Sequence, residues 1–206
     1  MIMVICPAWV PAPARRRQSL APRGKLGAMG NEQDSLAESA ACEVAHGHGS
    51  SPAGEKTLIA AFASPVAEFL LHFAGDAGYR VVLLEPDPER AATARTTGYE
   101  VTGDAGKYLD AAADLVVTDH HRPELGVVLR DALASPARWV GIMGNPRHPG
   151  PHVEALAGLG VAEADVARVH RPIGLNIGSR TPAEIAISTL AGLIADRNGR
   201  PGGFSF

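Results

Sequence analysis

From Lys56 onward the period of the apolar positions switches repeatedly between strand and helix. Leu58 to Phe62 (LIAAF) is a continuous apolar run of strand length. From Pro65 the apolar residues Val66, Phe69, Leu70 and Phe73 recur at the spacing of one helix face. Pro65 suits a first helical turn, where its missing N–H has no partner to lose, and Gly75 and Gly78 end the segment. RVVLL at 80–84 is again unbroken, the mark of a strand covered on both faces, and it stops at Glu85-Pro86-Asp87-Pro88. The same reading predicts a helix over 88–97 ended by Gly98, a strand over 99–102, a short helix over 107–113 and a strand over 115–118. A helix over 124–134 follows, with Leu125, Val128, Leu129 and Leu133 on one face, then a strand over 139–143. Short helices over 152–159 and 162–169 lead to a last helix over 182–197, stopped by Asn198-Gly199.

This alternation predicts the α/β class: a Rossmann-like, doubly wound, mostly parallel sheet with helices on both faces. Right-handed crossovers restrict the strand order to one near 3-2-1-4-5. The first 54 residues hold Pro, Arg, Gly, Ser and Ala without sustained periodicity and read as a disordered segment. Residues 55–200 are then the folded domain and 201–206 a flexible tail. The apolar opening MIMVICPAWVPAP precedes Arg15-Arg16-Arg17, the reverse of a secretory signal, and is too short to span a bilayer. Met29 is a candidate for the native start.

Composition adds little to this picture. Of 206 residues 46% are hydrophobic, enough for a core, and only 5% are aromatic, so small aliphatics carry the packing. A formal net charge of −3 argues against nucleic acid as the main partner. Cys6 and Cys42 precede the first strand and cannot staple the core, which fits a reduced, cytoplasmic protein. Cys42, His46 and His48 lack a fourth ligand, so no metal site is expected there.

Ligands of such sheets bind beyond the carboxyl ends of the strands, where the strand order reverses. Four segments should converge there: Ala63-Ser64-Pro65, Glu85, Asp119-His120-His121, and Gly144 to His148. The first turn, Ala61 to Val66, contains none of the glycines that let a pyrophosphate approach the backbone. Pro65 removes a further donor. Ser64 supplies a hydroxyl as cap or as phosphate donor, so a looser phosphate contact stays open. Glu85 stands where an acidic residue accepts ribose hydroxyls, or is a solvated loop carboxylate. Asp119 and His120 offer acid–base or ligand chemistry. Adjacent residues on an extended chain point apart, however, and Asp119 could equally cap the next helix. Thr181-x-x-Glu184 with Pro182 is a capping box. Gly178, Ser179 and Arg180 just before it suggest an anion site, or a loop whose arginine pairs with a carboxylate.

GLNIGSRTPAEIAIS at 174–188 resembles the C-terminal signature of the XdhC/CoxI family, and VVTDH at 116–120, RWVGIMG at 138–144 and HVEALAGLGV at 152–161 extend the similarity over residues 56–198. That family is associated with molybdoenzymes of the xanthine dehydrogenase and carbon monoxide dehydrogenase type. The resemblance implies a chaperone rather than a turnover enzyme. It would bind molybdenum cofactor, as molybdopterin or its cytosine dinucleotide form, and help insert it into a molybdoenzyme subunit. It marks Gly178, Ser179, Arg180 and Thr181, and with them Arg147 and Asp119, as cofactor-binding residues. Three departures stand out: no counterpart of the family's cysteine-containing N-terminal domain, a first turn without glycine, and Gly144-Asn145-Pro146-Arg147 where the family often has G-S-R-R. The alternatives are an NAD(P)-dependent oxidoreductase and a non-catalytic scaffold. The Ala-, Val- and Leu-rich stretch 152–169 offers a face for a homodimer.

Overall fold

The computed structural model describes residues 56–145 and 147–203. The expectations for Cys6, Met29, Cys42, His46 and His48 lie outside these residues, as does Pro146. Five strands, β1 (Lys56–Ala61), β2 (Tyr79–Leu84), β3 (Glu100–Thr102), β4 (Ala113–Val117) and β5 (Trp139–Ile142), form one all-parallel sheet in the order β3-β2-β1-β4-β5. This is the order expected from the sequence. Successive side chains of β1 serve opposite faces: Leu58 and Ala60 enter one apolar cluster, Ile59 and Ala61 the other.

Helices α1 (Pro65–Asp76), α2 (Pro88–Ala94) and α6 (Pro182–Arg197) cover the first face, and α3 (Leu125–Ala134) and α4 (Pro151–Ala157) the second. The short α5 (Glu163–Val166) follows α4. Three of the helices start on side-chain caps that their sequence supplies. Ser64 caps α1 by accepting from Ala67 N, and Asp87 caps α2 by accepting from Glu89 N and Arg90 N. Thr181 and Glu184 form the reciprocal capping box at α6.

The helix expected over 88–97 ends at Ala94 and passes into a 3-10 turn, Arg95–Thr97, that over 152–159 ends at Ala157, and two further expected helices are cut short or absent. Only a 3-10 turn, Gly106–Tyr108, forms within 107–113. The carboxylates of Asp104 and Asp110 bind the backbone N–H of Gly106 and Ala112, which diverts the chain from helix, and Ala113 already opens β4. The helix expected over 162–169 stops at Val166, because His170 must extend beside β5: its N–H donates to Val140 O and its C=O accepts from Ile142 N. The stretch expected to form a dimer face is partly spent inward. Leu156 is buried, and Val161 and Val166 pack on the same core, while Val153 and Leu159 remain exposed. No helix among the described residues is long and apolar enough to cross a membrane.

A buried ion cluster fixes the direction of α6. Asp114, fully buried near the start of β4, accepts from Arg138 Nε at 2.7 Å and Arg197 Nε at 2.8 Å. Arg138 also reaches Asp196 at 2.6 Å, and Arg197 Nη2 donates to Ala112 O at 2.5 Å. The last turn of α6 is thus bound to the amino-terminal end of the sheet, so its first turn lies at the carboxyl edge, beside the start of α1. Replacing Asp114 by Ala leaves two arginines without their buried counter-charge. The expected loss is about 3 kcal/mol, read as a lower urea midpoint with unchanged slope.

Candidate functional site at the carboxyl edge of the sheet

The first turn adopts a glycine conformation without a glycine. Phe62 has φ +75°, the left-handed region that an L side chain rarely enters. Two forces hold it there. Its ring is fully buried in the core. Its backbone is bound on both sides: Phe62 N–H donates to Leu84 O at 2.8 Å, and its carbonyl accepts from the Thr118 hydroxyl at 2.9 Å. The Arg122 guanidinium lies over the ring, 4.9 Å from its centroid.

Arg122 leads to Glu85. Glu85 is fully buried and binds Arg122 bidentately, at 3.0 Å through Oε2 and 2.9 Å through Oε1. Its Oε2 also accepts from Ala63 N at 2.9 Å and its Oε1 from Asp87 N at 3.1 Å. Four donors fill the carboxylate. Glu85 is therefore neither a ribose acceptor presented to a ligand nor a solvated loop carboxylate, as the sequence suggested. It is an internal tie joining the loops after β1, β2 and β4. Burial alone would raise its pKa, but the Arg122 hydrogen bonds and the two backbone donors outweigh it and hold the carboxyl below its ordinary value.

Ser64 is likewise committed. Its hydroxyl accepts from Ala67 N and donates to Thr118 Oγ1, both at 3.0 Å. Ser64 and Pro65 line one side of a cavity of about 570 Å3 between α1 and α2, with Glu68, Glu89, Arg90 and Thr93 on its walls.

Beyond β4 the chain turns instead of extending. Asp119 Oδ1 accepts from His121 N at 3.0 Å, and this turn brings the His120 and His121 rings side by side, 4.2 Å between centroids. The expectation that neighbouring side chains diverge fails for this reason. Asp119 does not cap the next helix either, since α3 begins only at Leu125. His120 is pushed below its ordinary pKa, first by burial and then by His121, against a hydrogen bond with the Met143 backbone.

Beyond β5, Arg147 N–H donates to Asn145 Oδ1 and its side chain is exposed. Gly144 lies flat against Arg171, whose Nη2 donates to Asn145 O at 2.8 Å. At the start of α6, Gly178 has φ +70° and Glu184 accepts from Arg180 N at 2.7 Å and Thr181 N at 3.1 Å. The N–H groups expected to face an anion are thus taken by Glu184, and Ser179 Oγ donates to Glu184 O at 3.3 Å. The exposed Arg180 side chain makes no ion pair among the described residues. The loop itself is seated by Gly174 (φ +84°), where a Cβ would stand 2.6 Å from Ser188 Oγ, and by the Leu175 N–H bonded to Ser188 O at 3.1 Å.

The structure thus brings Ser64, Pro65, Asp119, His120, Gly144, Arg147, Gly178, Ser179, Arg180 and Thr181 to one edge, with Glu85 sealed beneath it. Among the described residues no group of three or more His, Cys, Asp or Glu could hold a metal ion. Sequence reasoning missed Phe62 as the left-handed residue and Arg122, His152 and Arg171 as members of this edge. The one signal for Arg122 was the need of a strand-end carboxylate for a counter-charge.

A doubly wound parallel sheet describes many proteins, and comparison narrows it. The family model of the XdhC Rossmann domain matches residues 58–193, and the chain belongs to that family. It is 37% identical over 107 residues to the Escherichia coli K12 protein YqeB, itself described as uncharacterized; the match takes in 50% of this chain and 19% of YqeB. Its fold is similar to that of a Bacillus halodurans protein described as a xanthine dehydrogenase. The TM-score is 0.57 at 22% identity, over 71% of this chain and 46% of that one. The chain therefore spans less than half the length of either.

Two predictions follow from the first turn. Phe62→Gly and Phe62→Ala both lose the buried ring, at about 3–5 kcal/mol. Only glycine relieves the left-handed backbone, so Phe62→Gly should be the more stable by about 1 kcal/mol, compared by denaturant midpoints. In an ordinary helix or strand the order would be reversed. Because the folded-state pKa of Glu85 lies below the ordinary 4.5, its contribution is complete above that pH and is lost as pH falls through the folded value. Glu85→Gln should unfold more easily at neutral pH by about 3–5 kcal/mol, and its stability should fall less steeply than the wild type's below pH 4.5.

Proposed function

We propose that this domain is an accessory module of molybdoenzyme maturation. It binds molybdenum cofactor, as molybdopterin or its cytosine dinucleotide form, and helps insert it into an enzyme of the xanthine or carbon monoxide dehydrogenase class. The observation that carries this reading is membership of the XdhC Rossmann-domain family over residues 58–193. The Bacillus halodurans protein of the same fold, described as a xanthine dehydrogenase, points to the same class of partner.

The residues at the carboxyl edge fit the phosphate of such a cofactor. Arg180 and Arg147 are exposed there, and neither side chain has an ion-pair partner among the described residues. The cofactor would supply the molybdenum-binding pterin, while this chain would hold its phosphate and orient it toward a partner. An NAD(P)-dependent oxidoreductase is the weaker reading. A dinucleotide fold normally leaves its first turn open to a pyrophosphate, whereas here Phe62, Glu85 and Arg122 close that turn from within.

Thermal unfolding with molybdenum cofactor, CTP, NAD and NADP, wild type against Arg180→Ala, tests the proposal. A ligand at a hundred times its Kd stabilises the folded state by about 2.7 kcal/mol, a readily measured rise in Tm. A rise with the cofactor or CTP, lost in Arg180→Ala, is the expected result. A rise with NAD or NADP alone would put the oxidoreductase ahead, and no rise with any of the four would leave a bare scaffold.

A further inference from the structure

The cavity of about 570 Å3 between α1 and α2 has the size of a small-molecule pocket. It is open because of what the two helices present to each other. α2 is only seven residues long and passes into a 3-10 turn at Arg95. Ala67 on α1 and Ala94 on α2 line the gap with nothing larger than a methyl. Leu71 and Leu83 complete an apolar floor, and all four residues belong to the buried core. The Tyr99 ring, packed against the same core, forms part of the wall. Ser64 and Pro65 put one end of the cavity at the carboxyl edge.

The polar groups of the wall are mostly acceptors. The hydroxyls of Thr93, Thr96 and Thr97 donate to Glu89 O, Thr93 O and Ala94 O, so only their lone pairs remain. The Ser64 hydroxyl is committed to Ala67 and Thr118. Glu68 and Glu89 make no ion pair among the described residues, and Arg90 is the cation of the wall. Glu68 and Tyr99 are neighbours. The phenol donates to Glu68 O at 3.5 Å, and its pKa is raised, first by burial and then by the Glu68 and Asp76 charges. A ligand that fits brings an apolar body to the floor and N–H donors to these acceptors. A bare phosphate would meet two carboxylates of like charge, and an alkyl chain would leave the acceptors unpaired. A flat heterocycle with an amino group beside a ring N–H meets both needs: one carboxylate accepts the two parallel N–H bonds, as it accepts an arginine fork, and an aromatic ring gains Tyr99 as a packing partner.

We propose that this cavity binds a planar amino-heterocycle, with Glu68 accepting from its amino group and adjacent ring N–H and Tyr99 packed against the ring. This deepens the proposed function and rests on it only for naming the heterocycle: the pterin of the molybdenum cofactor carries this pair of donors on its pyrimidine edge. Arg90, on the opposite helix, is available to an oxygen elsewhere on such a ligand. Arg147 and Arg180 are not part of the cavity wall, so the heterocycle and the phosphate are tested on different residues.

Calorimetric titration of the full chain with free pterin tests the site. Lumazine, the analogue of the same shape with an oxygen in place of the amino group, is the second probe. The variants are Glu68→Gln, Thr93→Trp, which fills the cavity from its exposed rim, and Glu163→Gln on α5 as the charge control, each checked for folding by circular dichroism. The expected result is saturable pterin binding by the wild type and by Glu163→Gln. Binding should be at least about tenfold weaker for lumazine, for Glu68→Gln and for Thr93→Trp. If Thr93→Trp does not fold, Glu68→Gln and lumazine decide the matter. No saturable pterin binding by the wild type, equal binding of lumazine, or equal pterin binding by either cavity variant overturns the site. Pterin binding that depends on Glu68, in a chain whose Tm the molybdenum cofactor does not raise, overturns the cofactor reading and leaves the site standing. A cofactor-induced rise in Tm that Thr93→Trp leaves unchanged overturns the site and leaves the cofactor reading standing.

Discussion

The carboxyl edge of this domain is organised around one buried ion pair. Glu85 directly follows β2 with no solvent contact, and removing a carboxylate from water is unfavourable unless every oxygen lone pair finds a donor. Arg122 supplies two donors and the backbone of Ala63 and Asp87 supply the others. Because the donors come from three loops, satisfying one carboxylate fixes the positions of all three. The turn that a nucleotide-binding domain normally leaves open is thereby closed, and Phe62 is held in its left-handed conformation with the Arg122 guanidinium against its ring.

A second ion cluster does the corresponding work at the other end of the sheet. Asp114 gathers Arg138 and Arg197 and so sets the end of α6 against the start of β4. The length of α6 then determines where its beginning falls, and the loop carrying Gly178 to Thr181 is delivered to the same edge as the loops organised by Glu85. The two clusters lie at opposite ends of the sheet. Together they decide which surfaces face each other across its carboxyl edge.

This division of labour changes where a ligand's charge can be met. The turn after β1 has spent its polar groups internally: Ser64 on Ala67 and Thr118, Ala63 on Glu85. The start of α6 has spent two N–H groups on Glu184. Farther along the edge, Arg147 on the β5 loop and Arg180 make no ion pair among the described residues, while Arg171 gives its Nη2 to Asn145 O.

The sequence by itself determined the sheet order, the start of each long helix and the family. These rest on local rules: unbroken apolar runs make covered strands, and Ser64, Asp87 and Thr181 cap the helices that follow them. Local rules failed where a distant partner competed. The helix read over 107–113 gave way to aspartate turns. The one over 162–169 was cut short by the pairing of His170 with β5. The roles of individual site residues were the least legible. Glu85 read as a ligand group because nothing near it in sequence announces Arg122, 37 positions away. Gly144 read as a ligand-facing residue because the side chain that packs against it, Arg171, meets it only after the chain has folded. Whether a polar group serves the ligand or the fold depends on which partners reach it in space, and only the tertiary structure decides that.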